Sequence, residues 1–547
     1  MIRLSLAALL VCISAEAITL EQISDKPASR EKNFLIWQYL HQDINASEAS
    51  DAFYQIDNVN ERFLFDYAKK TDENEIRYTA ECMQKQACDL PSVENDDCLY
   101  LGLSPAKALA LSPEEREAIR SRLSDKFGDV EWLSTINQEN FFSPLGDLGA
   151  SLKLFLISPA PYREDHFNKT ISDEVLAQLI TLKGFDSLVY IAVTDPKMDK
   201  LQESLANISG GSYTAQTHFF LAINDIRFSR NENALFHLRE ARKKYSAAID
   251  RDKTLFWEYE LTGDQDTFKE LANSVDINMY TLYAKEKLGI DTENYFTTLP
   301  TSGPGGFKGD DPFIWNSLHK EIEASTPDTL VNLIERYDGE DSVAVQAYMI
   351  ERAYTPLIHD FTMPYNQYMQ NLTNDQKAIV YALMRQETRL IPGLISRSFA
   401  LGLMQLMPFV VDEIAKSNPF KPTSYDDMFN PEHNIAYAIV HLNYLQKYLY
   451  NPVFIAYAYN GGMGFTKRML QNGTPFLSGT YEPFLSMELI SNAESREYGK
   501  RVLANYVIYK KILGEPVSIG AIFDSLTQPT LSDYFRAEEL KNSQPMG

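Results

Sequence analysis

Between residues 233 and 288 the chain repeats one pattern, an amphipathic helical stretch, a turn and another helical stretch. "NALFHLREARKKY" (233–245) sets Leu235, Leu238 and Ala241 on one stripe with charges elsewhere, the spacing of a helix that buries one face. "TLFWEYELTGDQDTFKELA" and "MYTLYAKEKLGI" follow, and Thr262-Gly263-Asp264 breaks the first of these into two helices. Paired helices joined by Gly-containing turns bury their apolar faces by stacking on neighbours, so an α-superhelix of helical hairpins, able to close into a ring, is expected over 18–296. The stretches share no strict period, which argues against a regular tetratricopeptide array. Only "LKLFLISP" and "LITLKGFDSLVYIAVTDP" carry β-branched runs that could form strands.

At 547 residues the chain exceeds one hydrophobic core. Its first 17 residues read as a secretory signal peptide: Arg3, an apolar run from Leu4 to Ile13, and Ala15-Glu16-Ala17 as the cleavage site. A lipoprotein anchor at Cys12 fits less well, because the preceding Val11 is branched where a small residue is wanted. No later apolar run is long enough to span a bilayer, so an exported protein without membrane insertion is expected. Beyond the signal stand Cys82, Cys88 and Cys98, an odd number for an oxidising compartment. A bridge to Cys98 across the Pro91 turn is the easier geometry, and the absence of a nearby His disfavours zinc. "TTLPTSGPGGFKGDDP" (297–312), rich in Gly and Pro, reads as a linker. Residues 313–360 then form a helical linker domain, and 361–547 a separate lobe.

Charge divides the chain unevenly. It has 51 basic and 75 acidic residues, with 16 of each from residue 361 onward, so the whole net charge of −24 lies before that point. No basic face suggests nucleic acid. The neutral lobe is expected to carry the chemistry by itself, the acidic superhelix restricting access to it.

The chemistry centres on "YALMRQETRLIPGLISRSFALGLMQLMP" (381–408), where Glu387 stands among Leu, Met, Ile, Phe and Pro. Residues 376–390 pattern as a helix that Pro392-Gly393 stops, which puts Glu387 near its C-terminus. The partial negative charge there disfavours an ionised carboxylate, and burial acts in the same direction. Both would keep Glu387 protonated near neutrality, as a general acid must be. The competing reading is a glutamate salt-bridged to Arg385 or Arg389.

This segment resembles the soluble lytic transglycosylases of bacterial cell walls. The family's RQES block, the Ser nine residues on, and GLMQ-x-MP correspond here to Arg385-Gln386-Glu387-Thr388, Ser396, and Gly402 to Pro408. Ala458-Tyr459-Asn460-Gly461-Gly462 and Glu494-Ser495-Arg496-Glu497-Tyr498 match two later blocks, so four blocks stand in order across about 110 residues. The resemblance implies a mainly α protein, a superhelix followed by a lysozyme-like α-rich catalytic domain. It also implies a periplasmic enzyme that cleaves the MurNAc-GlcNAc β-1,4 bond of peptidoglycan and leaves a 1,6-anhydro ring, with no cofactor or metal. Glycan strands and stem peptides would be its partners, with other cell-wall enzymes as further candidates.

Residue by residue, Glu387 would be acid and then base. Ser396 would orient the glutamate and the substrate. Gln405, Met407 and Tyr459 would line the glycan cleft, Asn460 would shape its loop, and Glu494 would hold the far wall. The chain departs from the family at Thr388, which keeps a hydroxyl, at Ser491 in place of Pro, and at Phe399 in place of Gly. The last implies a backbone that avoids positive φ. One rival reading is a goose-type lysozyme that positions water with Glu494, Asp412 or Asp426. Another is a non-enzymatic helical scaffold for cell-wall proteins.

Overall fold

The computed structural model describes residues 17–136, 141–144, 146–206, 208–471 and 475–543. The expected signal segment lies outside them except for Ala17. Helices dominate, and their ends fall where short polar side chains and glycines stand. Asp264 accepts from the backbone of Asp266 and Thr267, and Asn278 from Tyr280 and Thr281. Gly263 (φ 67°) and Gly289 (φ 68°) end the helices Ala248–Thr262 and Met279–Leu288 in the left-handed region that glycine enters at least cost. From Ala215–Arg227 to Met279–Leu288, each helix packs on the next, as stacked hairpins require. Within Asn231–Lys244 the buried stripe is Ala234, His237, Leu238 and Ala241, and Leu235 sits at its margin.

The β-branched runs are helices. Leu148–Ile157, Asp173–Leu179 and Phe185–Thr194 replace the strands that short apolar runs allow. In the last, Phe185, Leu188, Val189, Ala192 and Val193 are buried, a spacing of three and four that fits a helix face and no strand. Cys82 and Cys98 form a disulfide with Cα atoms 5.0 Å apart, joining the helices Asn74–Gln84 and Asp96–Gly102; Cys88 is exposed and free.

The Gly/Pro segment is tied down at several points. The two-residue strand Tyr295–Phe296 before it pairs in parallel with His359–Asp360, at the entrance of the C-terminal lobe. Within it, Ser302 N donates to Asp338 O (2.9 Å), and Glu340 N donates back to Gly303 O (2.8 Å). A Cβ at Gly393 would stand 2.6 Å from Gly309 O, so this backbone rests against the turn that follows the Glu387 helix. The helices Pro312–Ala324, Pro327–Arg336 and Val343–Tyr354 fill the excursion between the paired strands.

Superhelix and lobe share buried polar contacts. Glu488 and Lys500, each about 1% exposed, form an ion pair. Glu488 also accepts from Tyr280 Oη and, at 3.5 Å, from Trp257 Nε1. Arg496 lies over the rings of Tyr190 (5.3 Å) and Phe220 (5.0 Å). Among the described residues no helix is long and apolar enough to cross a membrane.

Candidate active site

A reciprocal cap between Thr373 and Gln376 starts the helix Asn374–Thr388, which ends when Arg389 (φ 54°) and Leu390 (φ 66°) turn left-handed. The helix thus stops before Pro392. Glu387 lies in its last turn, partly open to a cavity. Burial pushes its carboxyl up to about 7; a hydrogen bond from Tyr498 Oη to Oε1 (2.7 Å) pulls it back, and the nearby charge of Glu494 adds to the rise. The flanking arginines are engaged elsewhere. Arg385 Nη2 and Arg389 Nη1 both bind Glu351, at 2.5 and 3.2 Å. Burial opposes ionisation of Glu351, yet Arg385, His359 and Arg389 hold its carboxylate down to about 2. Glu351 therefore engages the two arginines that the competing reading pairs with Glu387.

The loop after the helix is built on backbone hydrogen bonds. Leu401 pairs with Ile395 and Leu406 in two antiparallel bridges. Thr388 Oγ1 donates to Leu403 O (3.0 Å). Asn434 donates to Leu401 O and Met428 O and accepts from Met404 N, all at 2.9 Å. Gly402 (φ 67°) lies so close to Met428 O and the Asn434 amide that no side chain fits there. Phe399 corrects the expectation at the family's Gly position, since it adopts φ 66°. Its ring is buried and packs edge-on against Phe34 (5.3 Å) and Phe63 (6.0 Å), with Arg62 over its face (5.1 Å). That packing offsets a left-handed cost of about 1–2 kcal/mol.

Ser396 Oγ accepts from Ala400 N (2.9 Å) and Ser398 N (3.2 Å), so it shapes its own turn; among the described hydrogen bonds none joins it to Glu387. Gln405 (φ 48°) donates to Leu394 O and Gly402 O, which uses both amide hydrogens and leaves Oε1 as acceptor. Tyr459 Oη donates to Met404 O (2.6 Å), and the ring is near enough to Glu387 that its own hydroxyl titrates higher, after the larger effect of burial. Glu494 accepts from Asn460 Nδ2 (2.9 Å), and Asn460 Oδ1 accepts from Ser495 Oγ (2.7 Å). Arg496 pairs with Glu497 instead of Glu494. Met407 lines a cavity of about 680 Å³ shared with Trp37, Phe409, Tyr425 and Asp412. Asp412 is held by Tyr425 Oη (2.9 Å) and Asp426 by Gln38 Nε2 (3.4 Å).

The residue that sequence reasoning left without a role is Tyr498, the closing residue of the last block. A second omission is the N-terminal helix Arg30–Leu40. Arg30 Nη1 donates to Ile395 O (2.8 Å), and Arg62 Nη1 to Ser398 O (3.4 Å). The cavity at Glu387, about 340 Å³, is walled by Arg30 and Glu31 of that helix and by Trp315, His319, Lys320 and Tyr348. The neutral lobe thus contributes only part of the site's wall.

Residues 364–475 match the transglycosylase SLT domain family. A Haemophilus influenzae protein named as a soluble lytic murein transglycosylase is 33% identical over 176 residues, 31% of this chain and 29% of that protein. The aligned part thus spans less than a third of the curated relative. An inactive Glu-to-Gln mutant of the lytic transglycosylase Slt from Pseudomonas aeruginosa superposes with a TM-score of 0.54 at 14% identity, covering 94% of this chain and 88% of that one. The 70 kDa soluble lytic transglycosylase of Escherichia coli gives 0.46 at 15% identity, over 94% and 93%. The likeness to the Pseudomonas structure agrees with a mainly α fold, a helical superhelix followed by a helical C-terminal lobe.

Proposed function

We propose that this chain, whose residues 364–475 match the transglycosylase SLT domain, cleaves the MurNAc-GlcNAc β-1,4 bond of peptidoglycan and closes a 1,6-anhydro ring on the muramic sugar. One observation carries the reading: Glu387 titrates at about 7, with Tyr498 donating to its carboxyl and the adjacent arginines engaged by Glu351. A carboxyl poised there can serve as acid and as base near neutral pH.

The proton of Glu387 goes to the glycosidic oxygen as the C1–O bond breaks, and the N-acetyl group shelters the developing cation. The carboxylate left behind keeps the Tyr498 hydrogen bond, which is stronger to a charged acceptor. It then takes the proton of the C6 hydroxyl while that oxygen bonds to C1, which restores the acid and consumes no water. An internal nucleophile makes this step intramolecular, an advantage that reaches about 7–11 kcal/mol in ideal geometries. Gln405 Oε1 and the wall made by Asn460 and Glu494 are assigned to sugar and peptide contacts. Tyr459 supports the cleft through Met404, and Ser396 acts by holding the loop. A location in the periplasm, reached through the N-terminal signal, belongs to the same proposal.

Hydrolysis is the second reading, favoured by a charge on Glu494 close enough to raise Glu387. Mass analysis of products from purified sacculi separates the two. Anhydro-muropeptides, one water lighter than hydrolysed ones, are expected; reducing-end products alone would establish a lysozyme, and no released product would remove both readings.

A further inference from the structure

A cavity of about 380 Å³ lies on the seam between superhelix and lobe, away from the one beside Glu387. Val193, from the helix Phe185–Thr194, and Arg227, the last residue of Ala215–Arg227, form one side. Met469, from the helix Met463–Gln471, and Leu489, just after Phe484–Glu488, form the other. Tyr190 Oη donates to Ser491 O (2.7 Å) where the two sides meet. Most polar groups on the walls are engaged. Thr194 Oγ1 donates to Tyr190 O, and Ser486 Oγ accepts from Phe476 N. Glu482 accepts from Ser486 N (3.3 Å), and burial pushes its carboxyl up, toward the neutral acid. Arg227 is the exception. Among the described residues its guanidinium has no hydrogen bond, and Nη1 is buried without a partner. Burial opposes its charge more than Asp199 supports it. A cation held that way is unfavourable until an anion reaches it.

We propose that this cavity binds a small amphiphilic carboxylate, with the acid group on Arg227 and the apolar body between Val193, Met469 and Leu489. A guanidinium fork takes a carboxylate through two parallel hydrogen bonds, and the exposed Arg468 on the same wall adds charge of the same sign. Apolar walls with a few polar anchors are the usual make-up of a small-molecule site. A bare inorganic anion would leave those walls wet, and an uncharged apolar molecule would leave Arg227 unpaired. Seated there, the carboxylate touches helices of both superhelix and lobe and so fastens the seam. The seam also backs the far wall of the Glu387 site. Phe465, on the cavity, packs so closely on Gly461 that a Cβ there would stand 2.8 Å from its ring. Ser491 precedes Asn492, which caps the helix bearing Glu494 and Tyr498. Binding in this cavity requires no turnover of peptidoglycan.

Isothermal titration of octanoate and of octan-1-ol into the full chain probes the charge and the apolar body separately. Octanoate is expected to bind the wild type more tightly than octan-1-ol does. Arg227→Gln is expected to weaken octanoate about tenfold, the worth of a hydrogen bond to a charged group, and to leave octan-1-ol within about twofold. Because it removes an unpaired buried cation, this variant should keep the thermal midpoint of the wild type. Leu489→Trp grows into the cavity from a half-buried position and is expected to abolish binding of both compounds. Octanoate should raise the thermal midpoint of the wild type and leave that of Leu489→Trp unchanged. Octanoate that fails to bind at millimolar concentration, or that binds wild type and Arg227→Gln equally, would overturn the site. So would binding that survives in folded Leu489→Trp, or inorganic phosphate that binds as tightly as octanoate. Should Leu489→Trp fail to fold, the comparison with Arg227→Gln decides alone.

Discussion

Tyr498 Oη donates to Glu387 Oε1 at 2.7 Å, across two packed helices, Asn374–Thr388 and Ala493–Ile512. The bond favours the ionised carboxylate and opposes the burial that favours the acid. It strengthens at the moment Glu387 gives up its proton.

Tyr498→Phe therefore has two expected effects. Without the donor, the carboxyl titrates higher, so the fall in rate as pH rises through about 7 moves to higher pH. The maximal rate drops about 10- to 100-fold, the worth of one hydrogen bond to a charged group. A pH profile of kcat measures both, and a lower rate with an unmoved profile would assign Tyr498 to support of the fold alone.

Glu387→Gln is expected to abolish turnover while raising stability in a pH-dependent way. The folded carboxyl titrates at about 7, above its unfolded value of about 4.3. The folded state thus binds the proton more tightly. That contribution is full below pH 4 and is lost as pH rises through 7. The glutamine variant should match the wild type at pH 4 and exceed it by roughly 1–3 kcal/mol at pH 8. Urea denaturation at the two pH values is the check.

The elements that carry these candidate residues are readable in the chain because each is local. Glu387, the loop to Pro408 and the Tyr459-Asn460 block lie on contiguous stretches whose helix ends and glycines are visible. What joins them is not local. Glu351 removes two arginines from Glu387 across 34 and 38 residues, and Arg30 reaches Ile395 across 365. Such pairings leave no periodicity. The positive φ of Phe399 escapes the sequence for the same reason, since it goes with tertiary packing from Phe34, Phe63 and Arg62. The 148–194 runs were ambiguous because a short apolar stretch fits a strand or a buried helix equally well.

The Cys82–Cys98 bridge closes a loop of 16 residues, for which chain entropy suggests about 3 kcal/mol. A chain beginning after Ala17 should show one free thiol when denatured without reductant, that of Cys88. Cys98→Ala should lower stability by about 2–4 kcal/mol in chemical denaturation. Three free thiols would contradict the bridge.

Lys500→Met leaves Glu488 buried without its cation, between Tyr280 and Trp257. Breaking a buried pair from one side costs about 3–5 kcal/mol. The double variant with Glu488→Leu should recover much of that loss. Denaturation midpoints of the three variants supply the comparison.

The last prediction concerns residues 361–547 expressed alone. Their zero net charge suggests independence, but their contacts argue otherwise. Removing the preceding chain uncovers Phe399, which leans on Phe34 and Phe63, and strands the Glu488–Lys500 pair without Tyr280 and Trp257. It also deletes Arg30, whose hydrogen bond fixes the Ile395 carbonyl beside Ser396. A left-handed Phe399 freed from its packing should relax and take the 395–407 loop with it. The fragment is therefore expected to be helical by circular dichroism, to unfold with lower cooperativity, and to act at least tenfold more slowly than the full chain on sacculi and on short soluble glycans alike. A deficit confined to sacculi would mean that the superhelix only governs access. Equal deficits on both would mean that the N-terminal helix holds the catalytic loop in its working shape, a role that Phe34→Ala in the full chain should then reproduce in part.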